Sequence, residues 1–219
     1  MITDRQAKIL QEARDFVYAE LKDETSGHDW WHIVRVTNNA VEIAKQEQAD
    51  VFICELAALL HDIADGKLNE NEEVGLQKVE QWLQNHQASE AEIAHVLEIV
   101  STMSFKGDHQ QKNISTLEGK IVQDADRLDA IGAIGIARAM AYSGHIGRPI
   151  HDPDLQPREN MTLEEYRTGK SSAIMHFYEK LLKLKDMMNT AAAQKIAESR
   201  HHFLEEYLDQ FYAEWNAKK

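Results

Sequence analysis

The chain predicts an all-α fold, and three observations carry that reading. Apolar residues recur at helical spacing from end to end, capping signatures mark helix starts, and nothing reads as a ladder of strands joined by turns. Thr3 with Gln6, Ser89 with Glu92 and Thr162 with Glu165 read as capping boxes, in which the two residues satisfy each other's orphan backbone N–H groups.

Taken in order, these signals predict helices over 4–23, 32–47, 51–63, 70–86, 90–103, 116–142, 163–184 and 188–215. The third begins as the apolar run Val51–Leu60. Small residues in the sixth (Ala125, Ala130, Gly132, Ala133, Gly135) permit close packing. The last carries Ala192, Ile196, Phe203, Tyr207 and Phe211 near whole-turn spacing, which predicts a core-facing stripe. His201 and His202 on that helix read as a solvated pair. All three prolines (Pro149, Pro153, Pro157), with Gly144 and Gly147, mark 143–161 as irregular: a flap near a cleft, a hinge to the C-terminal helices 162–216, or a surface excursion. The whole of 1–219 reads as a single domain.

At 219 residues, 43% apolar and 28% charged, the chain can bury a sizeable core. A formal net charge of -13 argues against nucleic-acid polymers and anionic membranes as partners. A small phosphorylated substrate stays open, because a metal and a few cations can reverse the sign inside one cleft. No apolar run approaches a bilayer span, and the first residues lack a signal-peptide core. Cys54 is the only cysteine, so a cytoplasmic location without disulfides is expected. On its apolar helix it reads as a buried, inert thiol. A homodimer is compatible with all of this.

His61-Asp62, at the end of the apolar helix, carries the chemistry. Polar groups delivered against a hydrophobic wall are costly unless they are hydrogen-bonded or bound to a metal. Two segments offer partners: Gly27-His28-Asp29-Trp30-Trp31-His32 and Asp124-Ala125-Asp126-Arg127-Leu128-Asp129. Together the three pieces read as a metal site of His, His, Asp and Asp. No Gly-rich phosphate loop, His-Glu-x-x-His or paired-cysteine zinc ribbon is present.

The order His, then His-Asp, then Asp, set in His28–Val36, Ala57–Asp65 and Ile121–Gly135, resembles the HD-domain superfamily of metal-dependent phosphohydrolases. These phrases look like a branch of small stand-alone bacterial proteins that includes nucleoside triphosphate pyrophosphohydrolases. Ser104-Phe105-Lys106-Gly107 and the C-terminal helices also suit that branch. The resemblance implies an HD-domain helical bundle with additional C-terminal helices, its metal-site core at about 27–138. It assigns His32, His61, Asp62 and Asp126 as metal ligands.

Asp124 and Asp129 are rivals of Asp126. Asp129 follows by three residues on the same helix face and would be a supporting or substrate-binding group; Asp124 is turned away. His28 would be an N-terminal or substrate contact. Asp65, three residues after Asp62, is expected as the acid/base residue, although many HD enzymes carry glutamate there. Arg35, Lys67 and Lys106 are the cations nearest the motifs and are expected on phosphate oxygens. Arg127 is expected in a structural ion pair, and Trp30-Trp31 in helix packing or base stacking.

The donor set suits Mn²⁺ first, with Mg²⁺, Fe²⁺, Co²⁺, Ni²⁺ or Zn²⁺ as alternatives. His95 and His109 would serve only a second ion. The expected activity is cleavage of nucleoside triphosphates to monophosphate and pyrophosphate. The alternatives are a phosphomonoesterase or phosphodiesterase such as a 5′-nucleotidase, or a non-catalytic nucleotide or metal sensor.

Overall fold

A computed structural model describes residues 2–24, 29–64, 69–103, 114–158 and 169–219, and every regular element among them is helical. They fall into two compact units, Met1–Ala125 and Asp126–Lys219. Among the described residues no helix is long and apolar enough to cross a membrane.

The first unit is built around α3 (Val51–Leu60), in which every residue from Phe52 to Leu60 is buried. A helix that is apolar all round must be enclosed. It is enclosed by α1 (Asp4–Leu21), α2 (Trp30–Glu47) and α5 (Glu90–Met103). Its one charged residue, Glu55, meets Arg14 of α1 at 2.6 Å. After Leu60 the chain tightens into a 3-10 turn, His61–Ala64, against which α4 (Glu72–Asn85) packs. The approach is close: a Cβ added to Gly75 would lie 2.6 Å from the carbonyl oxygen of Ala64 and 2.7 Å from its Cα.

Thr3 forms the expected capping box with Gln6. The Ser89 amide donates to Glu92 at 2.7 Å, and the Glu92 amide to Ser89 Oγ at 3.4 Å. Thr162 and Glu165 lie outside the described residues.

The helix expected over 116–142 is two helices, α6 (Leu117–Asp129) and α7 (Gly132–His145). Gly132 takes a positive φ of 72° and Ile131 is extended, so the helical path is broken between them. The amides of Ala130 and Ile131 turn back to the carbonyls of Arg127 and Leu128, at 3.1 and 3.4 Å, closing the end of α6. The border between the units falls inside α6, which is one continuous helix.

In the second unit α7 is followed by the irregular stretch 146–158, then α8 (Ala173–Glu179), a 3-10 segment Leu181–Met187, and α9 (Ala191–Trp215). Ser172 and Thr190 cap α8 and α9 through their side chains. The irregular stretch is tied to the start of α8 by Ala173 N to Pro149 O at 2.9 Å and Ile174 N to Ile150 O at 3.0 Å. Arg158 forks onto buried Glu179 at 2.7 and 3.0 Å, and Ser171 Oγ donates to the same carboxylate at 3.1 Å. The α9 stripe differs from expectation: Ala193, Ala197, Leu204 and Leu208 are buried with Ala192, while Phe203 is 46% exposed. Tyr207 and Phe211 pack instead as ring partners, Tyr207 stacked on Phe177 at 5.7 Å.

Candidate metal centre

Two histidines reach the site from rigid helix ends. Asp29 is the N-cap of α2, and its carboxylate accepts the backbone N–H of His32 at 2.8 Å. The cap thus fixes the third residue of the helix, whose imidazole is completely buried. His61 stands where α3 gives way to the 3-10 turn, and its Nδ1 lies 2.8 Å from the carbonyl oxygen of Ala58. A carbonyl only accepts, so Nδ1 carries a proton, and Nε2 is the atom that a neutral ring offers to a metal.

Asp62 stands between the two rings. Its Oδ1 is 3.3 Å from His61 Nε2 and its Oδ2 is 3.5 Å from His32 Nε2. The imidazoles meet edge to face with centroids 5.5 Å apart. His61 Nε2 is buried and makes no hydrogen bond among the described residues. A carboxylate oxygen facing a nitrogen lone pair in a buried place is repulsive unless a cation or a proton lies between them. One ligand atom from each of His32, His61 and Asp126 of α6 falls within 4.8 Å of the others.

These residues fit a divalent metal. The donors are nitrogen and oxygen, and a ligand histidine whose other ring N–H is held by a backbone carbonyl has its tautomer set for metal.

The remaining expected residues are distributed unevenly. Arg35 follows His32 by three residues on α2 and is half-buried. Asp65, Lys67, Lys106, His28 and His109 lie outside the described residues. Asp124 is buried. Asp129 is buried too, with Oδ2 accepting from Arg138 Nη1 at 2.9 Å. Arg127 donates to the carbonyl of Met187, a structural contact.

His95 lies 3.6 Å from Glu118. His201 and His202 sit beside Glu205 and Glu206 of their own helix. Trp30 packs edge-on to Tyr18, whereas Trp31 is 65% exposed. Cys54 is buried, and that burial pushes its thiol pKa well up, which keeps it unreactive.

Sequence reasoning missed two supports of this site. The cap role of Asp29 was legible as an N-cap residue type just ahead of Trp30–Glu47. Gly75, isolated in a helical pattern, was legible as a place where packing leaves no room for a side chain.

Residues 30–131 match the HD domain family. A Bacillus thuringiensis protein described as an HD-superfamily hydrolase is 48% identical, with a TM-score of 0.78 over 97% of this chain and 99% of that one. A Lactobacillus plantarum protein of known structure is 42% identical, with a TM-score of 0.84 over 99% of this chain and all of the other. Bacillus subtilis YpgQ is 39% identical over 207 residues, 94% of this chain and 93% of YpgQ. YpgQ has been solved in complex with ADP; that structure matches with a TM-score of 0.78, 37% identity and 96% of each chain covered. With its His-Asp pair in place and relatives matched along nearly their whole length, the chain belongs to the HD superfamily of metal-dependent hydrolases.

Proposed function

We propose that this HD hydrolase acts on small nucleotides and cleaves nucleoside triphosphates to monophosphate and pyrophosphate. The observation that carries the reading is the His61–Asp62 pair, with His61 Nε2 held 3.3 Å from a buried carboxylate oxygen and its Nδ1 tied to the carbonyl of Ala58. The ADP complex of YpgQ supports a nucleotide as the ligand class. The choice of bond rests on the resemblance to the pyrophosphohydrolase branch.

His32, His61, Asp62 and Asp126 hold the ion in this reading, with Mn²⁺ as first choice. When bound, a divalent ion lowers the pKa of water towards neutrality and polarises a phosphoryl oxygen. The protein's share is orientation. Asp29 holds the start of α2, and Ala58 holds the proton of His61 on Nδ1. Asp65 takes the acid/base role, orienting the attacking water or returning a proton to the leaving oxygen. Arg35, Lys67 and Lys106 neutralise the non-bridging oxygens of the phosphates.

The test is a panel of ribo- and deoxynucleotides incubated with purified protein and Mn²⁺, pyrophosphate and orthophosphate being measured separately. Asp62→Ala serves as control. Pyrophosphate with monophosphate, lost in the variant, is the expected result. Orthophosphate alone would make the chain a phosphomonoesterase, and turnover that survives in the variant would remove the site from the chemistry.

A further inference from the structure

The last turn of α6 carries Asp126, and its end is held by arginines from two other helices. An α-helix leaves its final carbonyls without partners inside the helix. Here Arg200 Nη1, from α9, donates to the carbonyl of Leu128 at 2.6 Å. Arg138 Nη1, from α7, reaches the carbonyl of Asp129 at 3.3 Å and its Oδ2 at 2.9 Å. Both cations therefore stand at the negative end of the α6 dipole, where positive charge is favourable.

Arg200 is built in rather than draped over the surface. Its side chain lies along Gly132, where an added Cβ would come within 3.1 Å of both Arg200 Cβ and Cγ. Gly132 thus has two reasons to be glycine, its positive φ and the arginine stem. Loss of water around Arg200 lowers its pKa, and the charge of Asp129 opposes that shift. The buried Asp129 carboxylate, ion-paired with Arg138, holds charge at the same helix end.

We propose that Arg200 and Arg138 are positioning residues that hold the last turn of α6 so that Asp126 is presented as a metal ligand, making metal affinity depend on α9. This rests on Asp126 being a ligand. Without Arg200 the Leu128 carbonyl keeps only the long 3.4 Å bond from the Ile131 amide, and a loosened last turn spreads its carboxylate over positions too broad for a metal site. Partners that orient ligands from behind typically change metal affinity by about 10- to 100-fold.

The experiment is Mn²⁺ binding by the full chain without nucleotide, read by electron paramagnetic resonance titration. Arg200→Gln, Arg200→Lys, Arg138→Lys and Asp126→Asn are compared with the parent, and each melting temperature is recorded. The expected result is about tenfold weaker Mn²⁺ binding in Arg200→Gln, with partial recovery in Arg200→Lys, whose ammonium can still donate to Leu128. Should Arg200→Gln fail to fold, Arg138→Lys carries the test, because it keeps the charge and replaces the planar guanidinium that reaches both Asp129 oxygens. Lower melting temperatures with unchanged Mn²⁺ affinity, in the presence of a binding defect in Asp126→Asn, would overturn the positioning role alone. Unchanged affinity in Asp126→Asn would overturn both that role and the ligand assignment beneath it.

Discussion

His61 Nε2 stands 3.3 Å from Asp62 Oδ1, while the proton of the same imidazole is committed to the carbonyl of Ala58 on the far side of the ring. With the ring neutral and no cation between them, a lone pair and a carboxylate face each other away from water. Metal binding and folding are therefore linked at this pair.

Asp62→Asn separates the two. The amide can donate to His61 Nε2, so the metal-free variant should melt higher than the metal-free parent. Mn²⁺ at a hundredfold excess over its dissociation constant stabilises the parent by about 2.7 kcal/mol. For a chain of this size that is a rise of about 5–10 °C. In the variant the rise should vanish, together with hydrolysis. Calorimetry in EDTA and in Mn²⁺ reads both effects, and a variant that kept the Mn²⁺ shift would remove Asp62 from the ligand set.

Gly75→Ala tests how the His61–Ala64 turn is held. The new Cβ would fall 2.6 Å from the Ala64 carbonyl oxygen, which is backbone and cannot swing aside. Forced displacement of this kind costs roughly 1–3 kcal/mol. The turn carries His61 and Asp62, so Mn²⁺ affinity should fall along with the melting temperature. A stable variant with full affinity would show that α4 yields rather than the turn.

The parts of the fold that could be read from the chain are those set by neighbours in sequence. The apolar run through Leu60 had to be enclosed, and Thr3 and Ser89 cap where their types and spacing say they should. His61-Asp62 was legible because the conflict between two polar groups and an apolar helix is local. The break at Gly132 was not, since the helical pattern continues through 116–142 and a glycine's φ leaves no trace in it. Asp129 was out of reach for the same reason. Its partner Arg138 is nine residues on, and they meet only because the chain turns between them. Phe203 misled because whole-turn spacing cannot say which side of α9 is covered.

His176 gives the stability an acid limb. Its pKa is lowered to about 3, first by loss of water on burial and then by the charges of Lys180 and Arg148. The unfolded chain takes up a proton near the ordinary value of 6.5, while the folded protein does not. The stability held by neutral His176 is therefore complete above that value and is lost progressively as pH falls towards 3. His176→Gln should flatten the fall of melting temperature between about pH 6.5 and 4, compared with the parent. Parallel curves for the two proteins would place the acid limb elsewhere.

Asp29 is a carboxylate next to the metal motif in sequence, and its position distinguishes a cap from a ligand. The side chain accepts the His32 amide at 2.8 Å and closes the first turn of α2. Replacing such a cap with alanine costs about 1 kcal/mol, whereas serine keeps the acceptor. Asp29→Ala should lower the melting temperature by about 2–4 °C and loosen His32, weakening Mn²⁺ binding several-fold. Asp29→Ser should restore both, because the cap needs an oxygen and no charge. A ligand would behave in the opposite way, since serine cannot replace an anionic donor to a divalent ion. Calorimetry and Mn²⁺ titration on the two variants decide the matter: binding lost in both makes Asp29 a donor, and binding recovered in Asp29→Ser makes it the residue that aims His32.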